Sequence, residues 1–345
     1  VKVLVTGAAG FIGSNLVHLL ATERPDWKIV ALDLLTYAGN LKNLESLIAP
    51  GKAVSFSKTD ICDVEAVQEL FAREKFDLVF HLAAESHVDR SIMSSLEFVR
   101  TNVMGTQVLL DAARNTKVGR FVHISTDEVY GSLGPTGAFL ETTPLDPTSP
   151  YAASKAASDL MVLAACKTHG LNASVTRCTN NYGPYHFPEK LIPLFITNAM
   201  EGRKLPLYGD GMNVRSWVYV TDHCEALLAV AERGRAGEVY NIGGGADAEL
   251  PNRDVTYAIL DILGASKDLI ERVGDRPAHD RRYAIDHTKI TQELGWKPRT
   301  NFKTGLAQTV AWFQENRSWW QEIKSGEYRA FYEKNYGTRG VINGA

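Results

Sequence analysis

The 345-residue chain has little cysteine: Cys62, Cys166, Cys178 and Cys224 stand far apart. No Cys-x-x-Cys pair and no Cys/His ligand spacing occurs, so neither a disulfide framework nor a metal site is expected. Cysteines scattered through apolar sequence read as reduced core filler. Long apolar runs are missing too, and the longest, such as residues 160–166, are far too short to cross a bilayer. Charge of one sign is scarce, with 37 Lys and Arg against 40 Asp and Glu for a net charge of -3. Nothing global therefore attracts nucleic acid or an anionic membrane. Internal repeats and low-complexity tracts are absent. Residues 1–6 already read as a strand, so no leader is expected ahead of them. What is present, 45% hydrophobic and 22% charged residues, is the composition of a cytoplasmic, enzyme-sized protein of roughly two domains.

Apolar runs at residues 1–6, 28–32, 53–57, 77–82, 120–125 and 173–178 predict strands. Helical spacing predicts helices at 11–20, 64–71, 94–114 and 151–169, with Asp63 as a cap and Pro147 and Pro150 leading into the last. This alternation predicts an α/β fold, a Rossmann-type doubly wound parallel sheet with both faces covered. After about Tyr182 the texture changes, as Pro184, Pro188, Pro193, Pro206 and several glycines interrupt the pattern. Helices are expected at 221–233, 253–263 and 304–316, and a strand at 238–242. The expected division is a dinucleotide-binding domain over 1–185, to which 217–245 returns, and a smaller substrate-binding lobe over 186–216 and 246–345.

Gly7, Gly10 and Gly13 form a G-x-x-G-x-x-G turn between a strand and a helix, with Phe11 and Ile12 opening the helix. Glycines let the backbone approach a pyrophosphate, and the helix N-terminus adds N–H groups and a favourable dipole. Asp33 ends the next strand, 20 residues beyond Gly13, where a carboxylate accepts both ribose hydroxyls and repels a 2'-phosphate. That favours NAD over NADP. Asp60 and Ile61, ending the third strand, read as an adenine-edge contact or a simple cap.

Ser125, Thr126, Asp127 and Glu128 end another apolar strand, and Tyr151 and Lys155 follow four residues apart. At that spacing an ammonium lies on the same helix face as the phenol and can lower its pKa, making a base for an alcohol. Thr126 is the natural partner for that alcohol. An ordinary helix surface and a solvated acidic turn are the bland alternatives, and position downstream of a dinucleotide loop argues against both. Two carboxylates in one cleft can hold different protonation states, one as acid and one as base.

With these residues in place, the chain resembles the extended short-chain dehydrogenase/reductases and, within them, the dTDP-glucose 4,6-dehydratases. The resemblance runs through residues 7–13, 35–41, 83–91, 125–131, 151–155, 180–193, 275–286 and 319–336, and its most specific parts are Thr126-Asp127-Glu128 and the HFPEKLIP stretch at 186–193. It implies an internal redox cycle. Tyr151, helped by Lys155, takes the C4 hydroxyl proton while hydride passes to NAD; Thr126 hydrogen-bonds that hydroxyl. Glu128 removes the C5 proton and Asp127 protonates the leaving C6 hydroxyl, after which hydride returns to C6. It also implies that Leu82, Ala83, Ala84, Thr101, Ser125 and Asn181 line the cofactor. Ser86, Asn180, Lys190, Leu191, Pro206, Tyr208, Arg215, Asn252, Arg276 and His279 would hold the nucleotide sugar. A homodimer through a four-helix bundle is implied for the small-residue-rich stretches 94–114 and 151–169.

Ser216, Ala278 and Thr179 depart from the family pattern near the nucleotide site and bear on thymine against uracil. Other nucleotide-sugar enzymes remain as rivals. A 4-epimerase has no need of the Asp127/Glu128 pair, a uronate decarboxylase needs no acid at C6, and a GDP-mannose dehydratase should prefer NADP. A non-catalytic NAD-binding protein needs none of the five polar side chains.

Overall fold

The structure, a computed structural model, describes residues 1–49, 51–275 and 279–325. β1 (Lys2–Thr6), β2 (Lys28–Asp33), β4 (Leu78–His81), β5 (Arg120–Thr126) and β6 (Ala173–Cys178) are buried along nearly their whole length, while β3 (Val54–Lys58) is half exposed. All pair in parallel, which forces a crossover between successive strands. The crossovers are α1 (Phe11–Glu23), α2 (Val64–Glu74), a run of α3 (Val88–Met93), α4 (Leu96–Phe98) and α5 (Thr106–Thr116), and α6 (Pro150–His169).

Beyond β6 follow β7 (Asn180–Tyr182), α7 (Leu191–Met200), β8 (Leu205–Tyr208), β9 (Val214–Tyr219), α8 (Val220–Arg233) and β10 (Val239–Ile242). Then come β11 (Glu249–Pro251), α9 (Asn252–Leu263), β12 (Ile270–Val273), α10 (Thr288–Leu294), α11 (Phe302–Glu315) and α12 (Arg317–Ile323). The seven-stranded sheet runs β10-β6-β5-β4-β1-β2-β3, so its direction of winding reverses between β1 and β4. A cleft opens at the carboxyl ends of strands at such a reversal. β7, β9 and β11 make a three-stranded sheet and β8 pairs with β12. Val220, Cys224 and Leu227 of α8 share one core with Val3, Leu16 and Leu20, while Phe195, Trp217, Phe313 and Trp320 centre a second core in the other lobe.

Several elements differ from the sequence expectation. The single helix expected at 94–114 is broken: α3 ends where Ser94 turns extended, and residues Val99–Gly105 between α4 and α5 are π-helical. A 3.6-residue pattern carries no signature of such a widened turn. Gly105 lets this stretch pack closely on the Ile61 side chain, whose Cδ1 would lie 2.5 Å from an added Cβ. Pro193 reads as a breaker, yet it falls in the first turn of α7, where a helix loses no hydrogen bond to a missing N–H. Residues 217–219 lie in the three-stranded sheet rather than the main one; α8 and β10 are the parts that return.

Candidate active site

α6 is started firmly. Ser149 Oγ accepts from Ala152 N at 3.1 Å and Pro150 occupies the first turn, so Tyr151 and Lys155 enter on one buried face against β5. Lys155 Nζ donates to the Ile124 carbonyl at 2.7 Å. Thr126, the last residue of β5, turns the chain: its Oγ1 accepts from Glu128 N at 3.3 Å and opens a 3₁₀ turn over Asp127–Tyr130. Thr126, Asp127, Glu128, Tyr151 and Lys155 thereby line one cavity of ≈ 360 Å³.

Asp127 is only 2% exposed. Its Oδ1 accepts from Thr126 Oγ1 at 3.4 Å, and its Oδ2 is buried without a hydrogen-bond partner among the described residues. Burial and then the neighbouring Glu128 charge push its carboxyl up to about 7, against the opposing pull of Thr179 and Arg215. Glu128 is half-buried. The pair thus has the asymmetry that lets one carboxyl keep its proton near neutrality. The phenol behaves otherwise than its spacing from Lys155 suggests. Burial, and then Glu128, hold Tyr151 well above 10, while burial pulls Lys155 down to about 8. Desolvation outweighs the proximity that the helical spacing provides.

The other end of the cavity is walled by Gly7, Gly10, Phe11, Ile12, Gly13 and Asp33. Gly10 caps α1 without any side-chain hydrogen bond, which leaves the first helical N–H groups for an anion. A Cβ on Gly13 would sit 2.1 Å from the Gly7 carbonyl oxygen, and Gly7 itself holds φ +67. Asp33 accepts from Ala9 N at 2.9 Å and Leu35 N at 2.8 Å, so its carboxylate is fixed at the wall. An uncapped helix start beside a fixed acid and the buried Ser125 Oγ, which has no hydrogen-bond partner among the described residues, suits a dinucleotide.

Asp60, Ile61, Leu82, Ala83, Ala84, Thr101, Ser125 and Asn181 line the same space. Two of them are committed elsewhere: Asp60 pairs with Arg100 at 2.7 Å, and Asn181 Oδ1 accepts from His223 Nδ1 at 2.8 Å. Ser86, Asn180, Lys190 and Leu191 complete the wall, with Lys190 Nζ donating to the Ser86 carbonyl at 2.9 Å. Arg215 stands back from it, over the Tyr283 ring at 4.4 Å, and reaches Asp127 through its charge. Pro206, Tyr208, Asn252 and His279 are not on this wall. Tyr208 donates to Asp89 Oδ2 at 3.1 Å and meets the His279 ring edge-on at 5.9 Å. Arg276 and Ala278 lie outside the described residues.

Sequence reasoning missed Asn102. It sits on the π-helical stretch, 1% exposed. Its Oδ1 accepts from Glu85 N at 2.8 Å, and its Nδ2 donates to the Glu85 carbonyl at 3.0 Å and to Ser154 Oγ at 2.8 Å. One amide therefore ties the cavity loop to the helix bearing Tyr151 and Lys155. No motif marks it. A strap over residues 184–190 was also unread as structure: Pro184 accepts from Asn15 Nδ2 at 3.0 Å, His186 stacks on Phe11 at 4.1 Å, and Phe187 meets Tyr37 edge-on at 5.7 Å.

The family profile of GDP-mannose 4,6 dehydratase matches residues 4–309. A dTDP-glucose 4,6-dehydratase of Streptomyces niveus is 54% identical over 330 residues, covering 94% of this chain and 96% of its own. The crystal structure of DesIV, a dTDP-glucose 4,6-dehydratase from Streptomyces venezuelae with NAD and TYD bound, superposes with TM-score 0.90 at 52% identity, over 94% of this chain and 100% of that one. A UDP-glucose 4-epimerase of Thermotoga maritima has a TM-score of 0.85 at 30% identity, over 92% and 100%. The fold is thus common to several chemistries, and sequence identity separates them: this chain belongs to the dTDP-glucose 4,6-dehydratase family.

Proposed function

We propose that this protein converts dTDP-D-glucose to dTDP-4-keto-6-deoxy-D-glucose and water, through a redox cycle on NAD that closes within each turnover. One observation carries the reading: a buried carboxyl held up to about 7 shares a cavity with a Tyr/Lys pair. An alcohol oxidation needs the pair alone; the acid is what expulsion of hydroxide requires.

Thr126 holds the C4 hydroxyl, Tyr151 takes its proton, and the Lys155 ammonium supplies positive charge nearby. NAD, when bound, would supply an acceptor for the C4 hydride and its source for C6. Asp33 and the Gly7–Gly13 turn hold its adenosine and pyrophosphate ends. The 4-ketone acidifies the C5 proton, which Glu128 removes. Asp127 then gives its proton to the C6 hydroxyl, which departs as water, and a proton goes back to C5 as hydride reaches C6, which closes the balance. Incubation with dTDP-glucose is expected to yield a product lighter by one water, with the alkaline absorbance of a 4-keto-6-deoxy sugar. Turnover of UDP-galactose or UDP-glucuronate in its place would overturn the assignment.

The same proposal gives residues 1–185, with α8 and β10, to the cofactor, and 186–216 and 246–345 to the nucleotide sugar. It places the enzyme in the cytoplasm, in keeping with four free cysteines. It also makes the enzyme a homodimer. The support is an apolar face on two adjoining helical stretches: Leu96 is 78% exposed, Val99 52% and Leu160 58%. Exposed Ala153, Leu160 and Ala164 share one side of α6. Self-association of this face would form a four-helix bundle. Sedimentation should find a dimer at micromolar concentration and a monomer for the doubly substituted L96E/L160E protein.

A further inference from the structure

We infer that Asp159 is a positioning residue for Lys155, its carboxylate sharing one negative charge between the Arg177 guanidinium and the Lys155 ammonium. The inference rests on the proposed role of Lys155 beside Tyr151.

Tyr151, Lys155 and Asp159 follow at intervals of four along the buried face of α6. Lys155 is 4% exposed, and its single hydrogen bond among the described residues goes to the Ile124 carbonyl. An ammonium taken out of water needs an anion close by. No carboxylate of the described residues lies within ion-pair distance of it, and Asp159 is the carboxylate that most favours its charged form. Asp159 is fully buried. Its Oδ2 accepts from Arg177 Nε at 2.9 Å, which uses one half of the group. Its Oδ1 lies 3.4 Å from His123 Nε2, but that nitrogen is already joined to Ser158 Oγ at 3.0 Å, and Oδ1 has no hydrogen bond of its own among the described residues. Arg177 is in turn held from behind: it donates to Tyr130 Oη at 3.0 Å, and Tyr130 donates to Asn241 Oδ1 on β10 at 2.8 Å. A fixed cation and a half-committed anion thus sit one turn along the helix from the ammonium.

The groups facing Lys155 are few in their charged states. From β4 comes His81, kept neutral by burial and then by His123 and Lys155, and from β5 His123, kept neutral by burial and then by the Lys155 charge. From β6 come Arg177 and Cys178, whose thiol burial pushes up to about 12. The turn after β5 brings Asp127 and Glu128, and α6 itself brings Tyr151 and Asp159. Removing the Asp159 charge leaves Arg177 to repel the ammonium; removing Arg177 leaves the whole carboxylate to Lys155. The two changes act on Lys155 with opposite sign.

The test compares pH profiles of single-turnover C4 oxidation, read as reduced cofactor in the holoenzyme, for Asp159→Asn, Arg177→Met and the double variant, since Asp127 takes no part in that step. The alkaline limb, where Lys155 loses its proton, is expected to move down by about one pH unit in D159N and up in R177M. D159N should lose about fivefold in the rate of C4 oxidation at pH 8 with the affinity for dTDP-glucose unchanged. The double variant should return the limb close to that of the parent. Limbs that stay put, or that move the same way in both single variants, would leave Asp159 a packing residue and overturn the inference. Should D159N fail to fold, the upward shift in R177M still decides. Nitrogen NMR of Lys155 Nζ in lysine-labelled protein reads the same titration without turnover. An inactive parent enzyme would therefore sink the functional reading and leave this test standing.

Discussion

Asp127→Asn is expected to stop the reaction halfway. The substrate should be oxidised at C4, with reduced cofactor accumulating in a single turnover, while loss of water slows by about 10²–10⁴-fold, the usual worth of a positioned general acid. The substitution keeps shape and burial and removes the transferable proton. In the proposed cycle C4 oxidation uses Thr126, Tyr151 and Lys155, whose contacts run through β5 and α6. Rapid-quench detection of the 4-keto sugar that still carries its C6 hydroxyl would identify the stalled species. Should reduced cofactor fail to form at all, Asp127 belongs to the oxidation and the assignment is wrong. A second readout is independent of catalysis. Because burial raises the folded-state pKa to about 7, the folded protein binds a proton that the unfolded chain releases at lower pH. Stability contributed by that proton is present below the ordinary carboxylate range and is lost as pH rises toward 7. Asparagine does not titrate, so D127N should melt at a higher temperature than its parent at pH 8, and the difference should shrink on acidification. In the parent, water loss should weaken above about pH 7 as Asp127 ionises.

Tyr151→Phe is expected to fail earlier and more completely. Without the phenol there is no base at C4, so neither reduced cofactor nor keto sugar should form, a loss of about 10³-fold or more. The ring would keep its edge-on contact with Phe98, at 6.3 Å between centroids, so the melting temperature should hold. The contrast between the two variants is the informative result: one accumulates reduced cofactor and the other makes none. Reduced cofactor appearing at the parental rate in Y151F would mean that the C4 base lies elsewhere in the cavity.

Much of the architecture was legible because parallel strands buried on both faces read as unbroken apolar runs, as β1, β4, β5 and β6 do. The strand ends were legible for the same reason, and Asp33, Thr126 and Asp127 follow directly on such runs. The second lobe was legible only in part, in α9 and α11, which fall where helices are expected at 253–263 and 304–316. β7, β11 and β12 are three or four residues long, too short for periodicity, and α7 is apolar nearly all round, which conceals its helical repeat. Asn102 was invisible for a different reason. Its value lies in reaching Glu85, 17 positions away, and Ser154, 52 positions away, and no local pattern encodes a contact at that separation. The phenol of Tyr151 shows a limit of spacing arguments generally. Helical register tells which groups are neighbours, and burial decides what that proximity is worth.

The chain leaves the main sheet after β6, builds part of the other lobe, and comes back as α8 and β10 before leaving again. A gene fragment ending near Tyr185 would therefore expose the unpaired edge of β6 and strip α8 from the core it covers. The two halves are interleaved rather than strung together. No single cut in the chain therefore separates one lobe from the other.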